Sequence, residues 1–159
     1  MQLICGIVPG LDGAIGFLNQ DGTFAHVADM PTLPTSTGRR QVDPAALAGI
    51  LKQHRPVHVI VERVGARPGE GATGAFSFGH SFGVIAGVLG ALGIPHSIVQ
   101  PAVWKRCAGI PPGASKAASI TTAKCAIPSP AEHLTLVKHH GRAEALLLAR
   151  HAKLSPTNL

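Results

Sequence analysis

HVIVERVGARPGEGATGAFSFGHSFGVIAGVLGALGIP, His58 to Pro95, is the stretch that decides the fold. His58 to Val61 is β-branched and alternates little, as in a buried strand of a parallel pair. Glu62 closes the strand. Gly65 to Gly74 is a glycine-rich loop carrying Arg67 and Glu70. Phe78, Phe82, Ile85, Val88, Leu89 and Leu92 then recur at steps of three and four, so a helix packs by one face. Gly93 caps it. Strand, loop and helix in this order are the repeating unit of an α/β sheet.

Working toward the N-terminus, Ala45 to Gln53 places Leu47, Ile50 and Leu51 on one helical face, with Asp43 as N-cap and Pro44 at the first helical position. Met30 to Gln41, with two prolines and the pair Arg39-Arg40, reads as a loop. Gln2 to Ile7, Ala14 to Leu18 and Thr23 to Ala28 read as three strands of an antiparallel meander, the last two joined by the hairpin signal Asp21-Gly22. Toward the C-terminus, His96 to Val99 is a fifth strand. Helices are expected at Trp104 to Ala108, at Lys116 to Cys125 and at Arg142 to Ala152, with Pro111-Pro112-Gly113 and a proline-rich link, Ile127 to Ala131, between them. The sum is an α/β chain with a mixed five-stranded sheet, an antiparallel meander followed by parallel strands. Residues 1–153 form the domain and 154–159 a short tail.

The chain has 159 residues, 45% of them hydrophobic, which is enough for one core. Its apolar run from Phe82 to Ile94 is short and interrupted by glycine, so no membrane span is expected. Three cysteines without a paired spacing argue against a disulfide framework or a zinc knuckle and for a reducing, cytoplasmic setting. Lys and Arg outnumber Asp and Glu by 14 to 8, and a net charge of +6 favours a polyanionic partner, nucleic acid first. A small-molecule enzyme using His139, His140 and Glu62 ranks far below, because the chain has no nucleophile motif, P-loop or dinucleotide fingerprint.

Ligands of open α/β sheets gather at the carboxyl ends of strands. Three features converge there: the turn Ile7-Val8-Pro9-Gly10, Glu62, and His139-His140-Gly141-Arg142-Ala143-Glu144. Burying a carboxylate costs several kcal/mol unless it is paired or on a metal. Glu62 therefore either pairs with Arg63 or Arg67 or serves a metal. His140 and Glu144 share a face if the last helix already includes His140. Glu144 also suits the positive end of a helix without any ligand.

The segments CGIVPGLDGAIGFL, VIVERVGARPGEGATGAFSFGHSFGVIAGVLGALGIP, QPAVWK and GRAEALLLA together resemble the RuvC-like crossover-junction endonucleases of phage and bacteria, within the RNase H-like superfamily. The resemblance runs from the N-terminus to about Ala152. It implies an RNase H-like sheet with helices on both faces, and a homodimer that resolves four-way, branched DNA junctions with Mg²⁺ or Mn²⁺. No small-molecule cofactor is expected. Such two-metal chemistry needs a bridging carboxylate on strand one, a carboxylate at the end of strand four, and acidic residues or a histidine on the last helix.

The resemblance assigns catalysis to Glu62, His140 and Glu144, and metal binding to Glu62, His139, His140 and Glu144. The family's strand-one motif, GIDPG, is Gly6-Ile7-Val8-Pro9-Gly10 here, so Val8 stands at the aspartate position with no ligand atom. Asp12 lies four residues on and is not expected to reach the same point. Junction cleavage is therefore expected to be impaired; a non-catalytic branched-DNA-binding homologue with a structural or regulatory role is the alternative. Arg39, Arg40, Arg67, Lys105, Arg106 and Lys116 are the expected phosphate contacts. Arg142 either joins them or pairs with Glu144. Phe76, on the loop, is the expected wedge at an unpaired base step. Trp104, the single tryptophan, either lies near DNA or anchors the core.

Overall fold

The computed structural model describes residues 2–65 and 69–154. Five strands form the main sheet: β1 (Leu3–Val8), β2 (Ala14–Asn19), β3 (Phe24–Asp29), β6 (His58–Glu62) and β7 (His96–Val99), in the order β3-β2-β1-β6-β7. The first three pair antiparallel, and β1 pairs parallel to β6, as β6 does to β7. This is the mixed sheet expected from the sequence. Residues Met30 to Gln41, expected as a loop, instead hold a second, two-stranded sheet of β4 (Thr32–Pro34) and β5 (Arg40–Val42). Pro31 and Pro34 disguise it, because proline inside a run argues against a strand. Pro34 is tolerated at the end of β4, where the chain turns through Gly38 at φ +77°.

Side chains alternate across the sheet. Ile4 and Val8 of β1, Leu18 of β2 and Ile60 of β6 point to one layer. There they meet α3 (Pro101–Cys107), α4 (Lys116–Ala126) and α5 (His140–Leu154). Cys5, Ile7, Ile15, Phe17, Val59 and Val61 point to the other. That layer is closed by Leu47 and Leu51 of α1 (Pro44–His54) and Ile85 and Leu89 of α2 (Ala72–Ala91). Asp43 caps α1 by accepting from the amides of Ala45 and Ala46. Helices thus cover both faces, as the resemblance implies.

Three helices begin earlier than the periodicity indicates. α2 starts at Ala72, after Gly71, and so contains Phe76. α3 starts at Pro101, whose missing N–H costs nothing at the first position. α5 starts at His140, straight out of a 3₁₀ turn over Val137–His139. At 20 residues, α2 is long and apolar enough to cross a membrane by length and composition, with a mean hydropathy of 1.3. In the fold its Ser81, Ile85 and Leu89 are buried. Gly83, Gly87 and Gly90 lie exposed on its outer side, where a Cβ would meet nothing within 4 Å.

α5 lies close upon β1 and β2 because of two glycines. Gly6 and Gly16 are register partners. A methyl group on Gly6 would strike the Ala145 carbonyl and lie 2.6 Å from the Ala149 amide nitrogen; one on Gly16 would lie 2.7 Å from the Leu146 amide nitrogen. All of these obstacles are backbone, which cannot rotate aside. Gly6→Ala is expected to destabilise the fold by about 3 kcal/mol in urea titrations. Gly49→Ala, in the exposed interior of α1 with open space around it, should stabilise it by roughly 0.5–1 kcal/mol. Equal effects at the two positions would contradict this packing.

Three histidines of the sheet and of α5 resist protonation in the folded chain. Burial lowers the pKa of His58 and His151. It also lowers that of His26, where His54 and His133 add to the effect. The folded chain therefore prefers neutral rings. Their contribution to stability is full above the unfolded imidazole value of about 6.5 and is lost as pH falls below it, because the unfolded chain takes up protons first. The urea midpoint should hold steady above pH ~7 and decline on acidification; a midpoint rising toward pH 5 would contradict this.

Candidate functional site

The carboxyl ends of β1 and β6 open into a groove of about 1200 Å³, walled by α3, the start of α4 and the first turn of α5. β6 delivers Glu62 to it by alternation, since positions 60 and 62 share a face and Ile60 points into the α5 layer. α5 delivers His140 and Glu144, four residues apart on one helix. Gly141 does not break this turn. A Cβ there would lie 3.0 Å from the Asp12 carbonyl oxygen, so the glycine lets the β1–β2 turn pass.

Two consecutive residues of α3 hold the two acids. The indole N–H of Trp104, which is fully buried, donates to Glu62 Oε1 at 3.0 Å. The ammonium of Lys105 lies 3.3 Å from Glu144 Oε1, with the Lys105 side chain 36% exposed and that of Glu144 13%. Ser119 of α4 donates its hydroxyl to the same Glu144 oxygen at 3.1 Å. Lys105 Nζ also stands 5.3 Å from the centroid of the Trp104 ring. Trp104 is thus a core anchor with its polar edge turned to the groove.

Val8, the last residue of β1, lines the groove and belongs to the apolar core. Asp12 reaches the groove rim but not the place of Val8, and its carboxylate is ion-paired with Arg40 at 3.0 Å. His140 lines the groove, with Nδ1 3.3 Å from the Val137 carbonyl; if Nδ1–H donates there, Nε2 carries the lone pair. His139 is not brought to the groove lining. Its Nδ1 accepts from the Leu136 amide, and it stands near Arg142, Lys138 and Asp29. Burial, with Arg142 and Lys138 adding, lowers its pKa.

Arg142 is not among the residues that line the groove. It pairs with Asp29 rather than Glu144, through Nε and Nη2 to the two carboxylate oxygens at 2.7 Å each. Its Nη1 donates to the His133 carbonyl. This fork ties the start of α5 to the end of β3, and it lowers the pKa of Asp29.

The expected phosphate contacts divide. Lys105, Arg106 and Lys116 line the groove, joined by Arg63, which the sequence suggested only as a partner for Glu62. Arg39 and Arg40 lie exposed by the β4–β5 hairpin, with Arg40 engaged at the rim by Asp12. Arg67 lies outside the described residues. Phe76 is 77% exposed on α2, not on a loop. Phe78, read from periodicity as a core residue, lines the groove and packs on Gly10, whose φ of +115° and missing side chain make room for the ring. Ser119 carried no signal in the sequence.

The Mg²⁺ or Mn²⁺ pair implied by the resemblance is not matched by the donors present. Val8 offers no bridging oxygen, Glu62 accepts an indole N–H, and Glu144 already faces a cation. Among the described residues, no three of His, Cys, Asp and Glu gather to hold a metal ion. Two divalent ions a few ångströms apart need an anion between them to offset their repulsion.

No family model matches the chain. A 117-residue stretch is 34% identical to the chloroplastic Holliday junction resolvase MOC1 of Chlamydomonas reinhardtii; it covers 70% of this chain and 13% of that protein's length. Among solved structures, Thermus thermophilus RuvC in complex with a Holliday junction substrate superposes with a TM-score of 0.64 at 18% identity, over 96% of this chain and 94% of that one. A second Thermus thermophilus RuvC structure gives a TM-score of 0.54 over the same shares. The chain has the RuvC-like fold.

Proposed function

We propose that this chain is a homodimeric, RuvC-like protein that binds four-way DNA junctions and whose strand cleavage is impaired at Val8. The observation that carries the reading is the groove itself: two carboxylates, from β6 and α5, lie among Arg63, Lys105, Arg106 and Lys116. A DNA backbone entering it meets cations along its length, and the acids sit where phosphodiester chemistry is performed in this fold by resemblance. The kinship in sequence to a junction resolvase and the fold shared with RuvC on its junction support the same substrate.

Phosphate contacts position a backbone without reading bases, so junction shape is what this groove selects. Phe78, seated on Gly10 at the groove, and Phe76, exposed two residues earlier on α2, are the aromatic side chains offered to an opened base step. Dimerisation runs through the outer side of α2, where Gly83, Gly87 and Gly90 leave the helix backbone open to a second copy. A two-fold dimer suits the symmetry of a four-way junction. The pairing of Lys105 with Glu144 favours a second reading, a junction-binding module with a structural or regulatory role. Three free cysteines suit a reducing, cytoplasmic setting.

Gel shifts should show a junction preferred over duplex of equal length, with affinity falling steeply with salt, by a logarithmic slope of about 0.9 per phosphate neutralised. Equal affinity for both DNAs would contradict the reading. With Mg²⁺ or Mn²⁺ the native chain should cut weakly or not at all, and Val8→Asp should cut more. Robust cutting by the native chain, abolished by Glu62→Ala, would overturn the assignment of impairment.

Sedimentation of the free protein should give a dimer. A monomer, or a chain that floats with lipid vesicles, would remove α2 from the dimer interface.

A further inference from the structure

We infer that Cys107 is a thiol-exchange site, served by His151 and Arg150, that takes small disulfides bearing carboxylates. The site lies between α3 and α5, and none of its lining residues lines the groove. Cys107 is the last residue of α3 and is exposed. α5 turns Leu147 and His151, four residues apart, toward the same place. Cys107, Arg150 and His151 thus share a cavity of about 10 Å³, room for about one water.

His151 gives this cavity its chemistry. The residue is 8% exposed, and its Nδ1 is buried with no hydrogen-bond partner among the described residues. A buried ring nitrogen left unpaired is costly, and a proton-moving role is one reason to keep it. Burial lowers the pKa of the ring, so at neutral pH it is uncharged and one nitrogen carries a lone pair. With the ring proton on Nε2, Nδ1 accepts the thiol hydrogen of Cys107, the pairing that makes a cysteine sulfur nucleophilic. Arg150 is half-buried and has no ion pair among the described residues, so its charge remains for a carboxylate on the incoming disulfide.

The exchange balances without another oxidant. Cys107 gives its proton to His151 and its sulfur attacks one sulfur of the disulfide. A new S–S bond forms at Cys107 as the old one breaks. The departing sulfur takes the proton from His151 and leaves as a thiol. Cys107 is oxidised to the mixed disulfide, and the departing half is reduced. The other two cysteines are built-in controls. Cys5 is buried, and burial pushes its thiol pKa up, so it stays inert in the folded chain. Cys125 is exposed but does not line the cavity.

The test adds oxidised glutathione to the reduced full chain, without DNA, and follows each cysteine by peptide mass mapping. Cys107 should form the mixed disulfide about tenfold faster than Cys125, while Cys5 stays reduced. His151→Gln should bring Cys107 down to the rate of Cys125. If that variant loosens the core, Cys5 begins to react, and Arg150→Gln decides instead. Arg150→Gln should slow exchange at Cys107 with oxidised glutathione but not with the neutral disulfide of mercaptoethanol.

Equal rates at Cys107 and Cys125 in the native chain would overturn the inference; an Nδ1 that merely holds a water gives that result. So would an unchanged Cys107 rate in a folded His151→Gln, or an Arg150→Gln that treats both disulfides as the native chain does.

Discussion

Gly6 and Gly16 face each other across β1 and β2, and the backbone of α5 lies where their side chains would otherwise stand. Ordinary side chains would hold a helix farther from the sheet. The absence of two Cβ atoms lets Ala145, Leu146 and Ala149 settle onto the strands, which fixes α5 in depth and along its axis. The Arg142–Asp29 fork fixes it in rotation at its N-terminal end. Once α5 is so placed, His140 and Glu144 come to the mouth opened by β1 and β6, beside Glu62. The site follows from how closely one helix lies.

The electrostatics follow from the same placement. Two acids at the sheet edge would each carry a heavy desolvation cost if left alone. α3 answers both, with an indole N–H for Glu62 and an ammonium for Glu144. The groove is acidic at its floor and basic around it. The floor is held by an indole N–H and an ammonium rather than by oxygen donors converging on metal. Val8 offers no oxygen at the end of β1, and Lys105 faces Glu144.

Much of this was legible in the residues. The strand order class, the helices on both faces and the arrival of Glu62, His140 and Glu144 at one place follow from alternation, helical spacing and the family motifs. Helix starts were not, because the glycines at 71, 74 and 141 and the proline at 101 look like breakers yet sit at caps or close approaches. The β4–β5 hairpin was hidden by its prolines. Long-range partners were beyond reach: nothing local says that Arg142 prefers Asp29, that Lys105 finds Glu144, or that Phe78 leaves the helix's core face for Gly10. Those choices are made by tertiary distance, which a linear pattern does not encode.

The most direct measurement is a co-crystal of the native chain with a four-way junction grown in Mn²⁺, with data collected at the manganese edge. The account predicts DNA backbone lying along the groove beside Lys105 and Lys116, and no anomalous peak between Glu62 and Glu144. Two manganese peaks there, with Lys105 displaced, would contradict it.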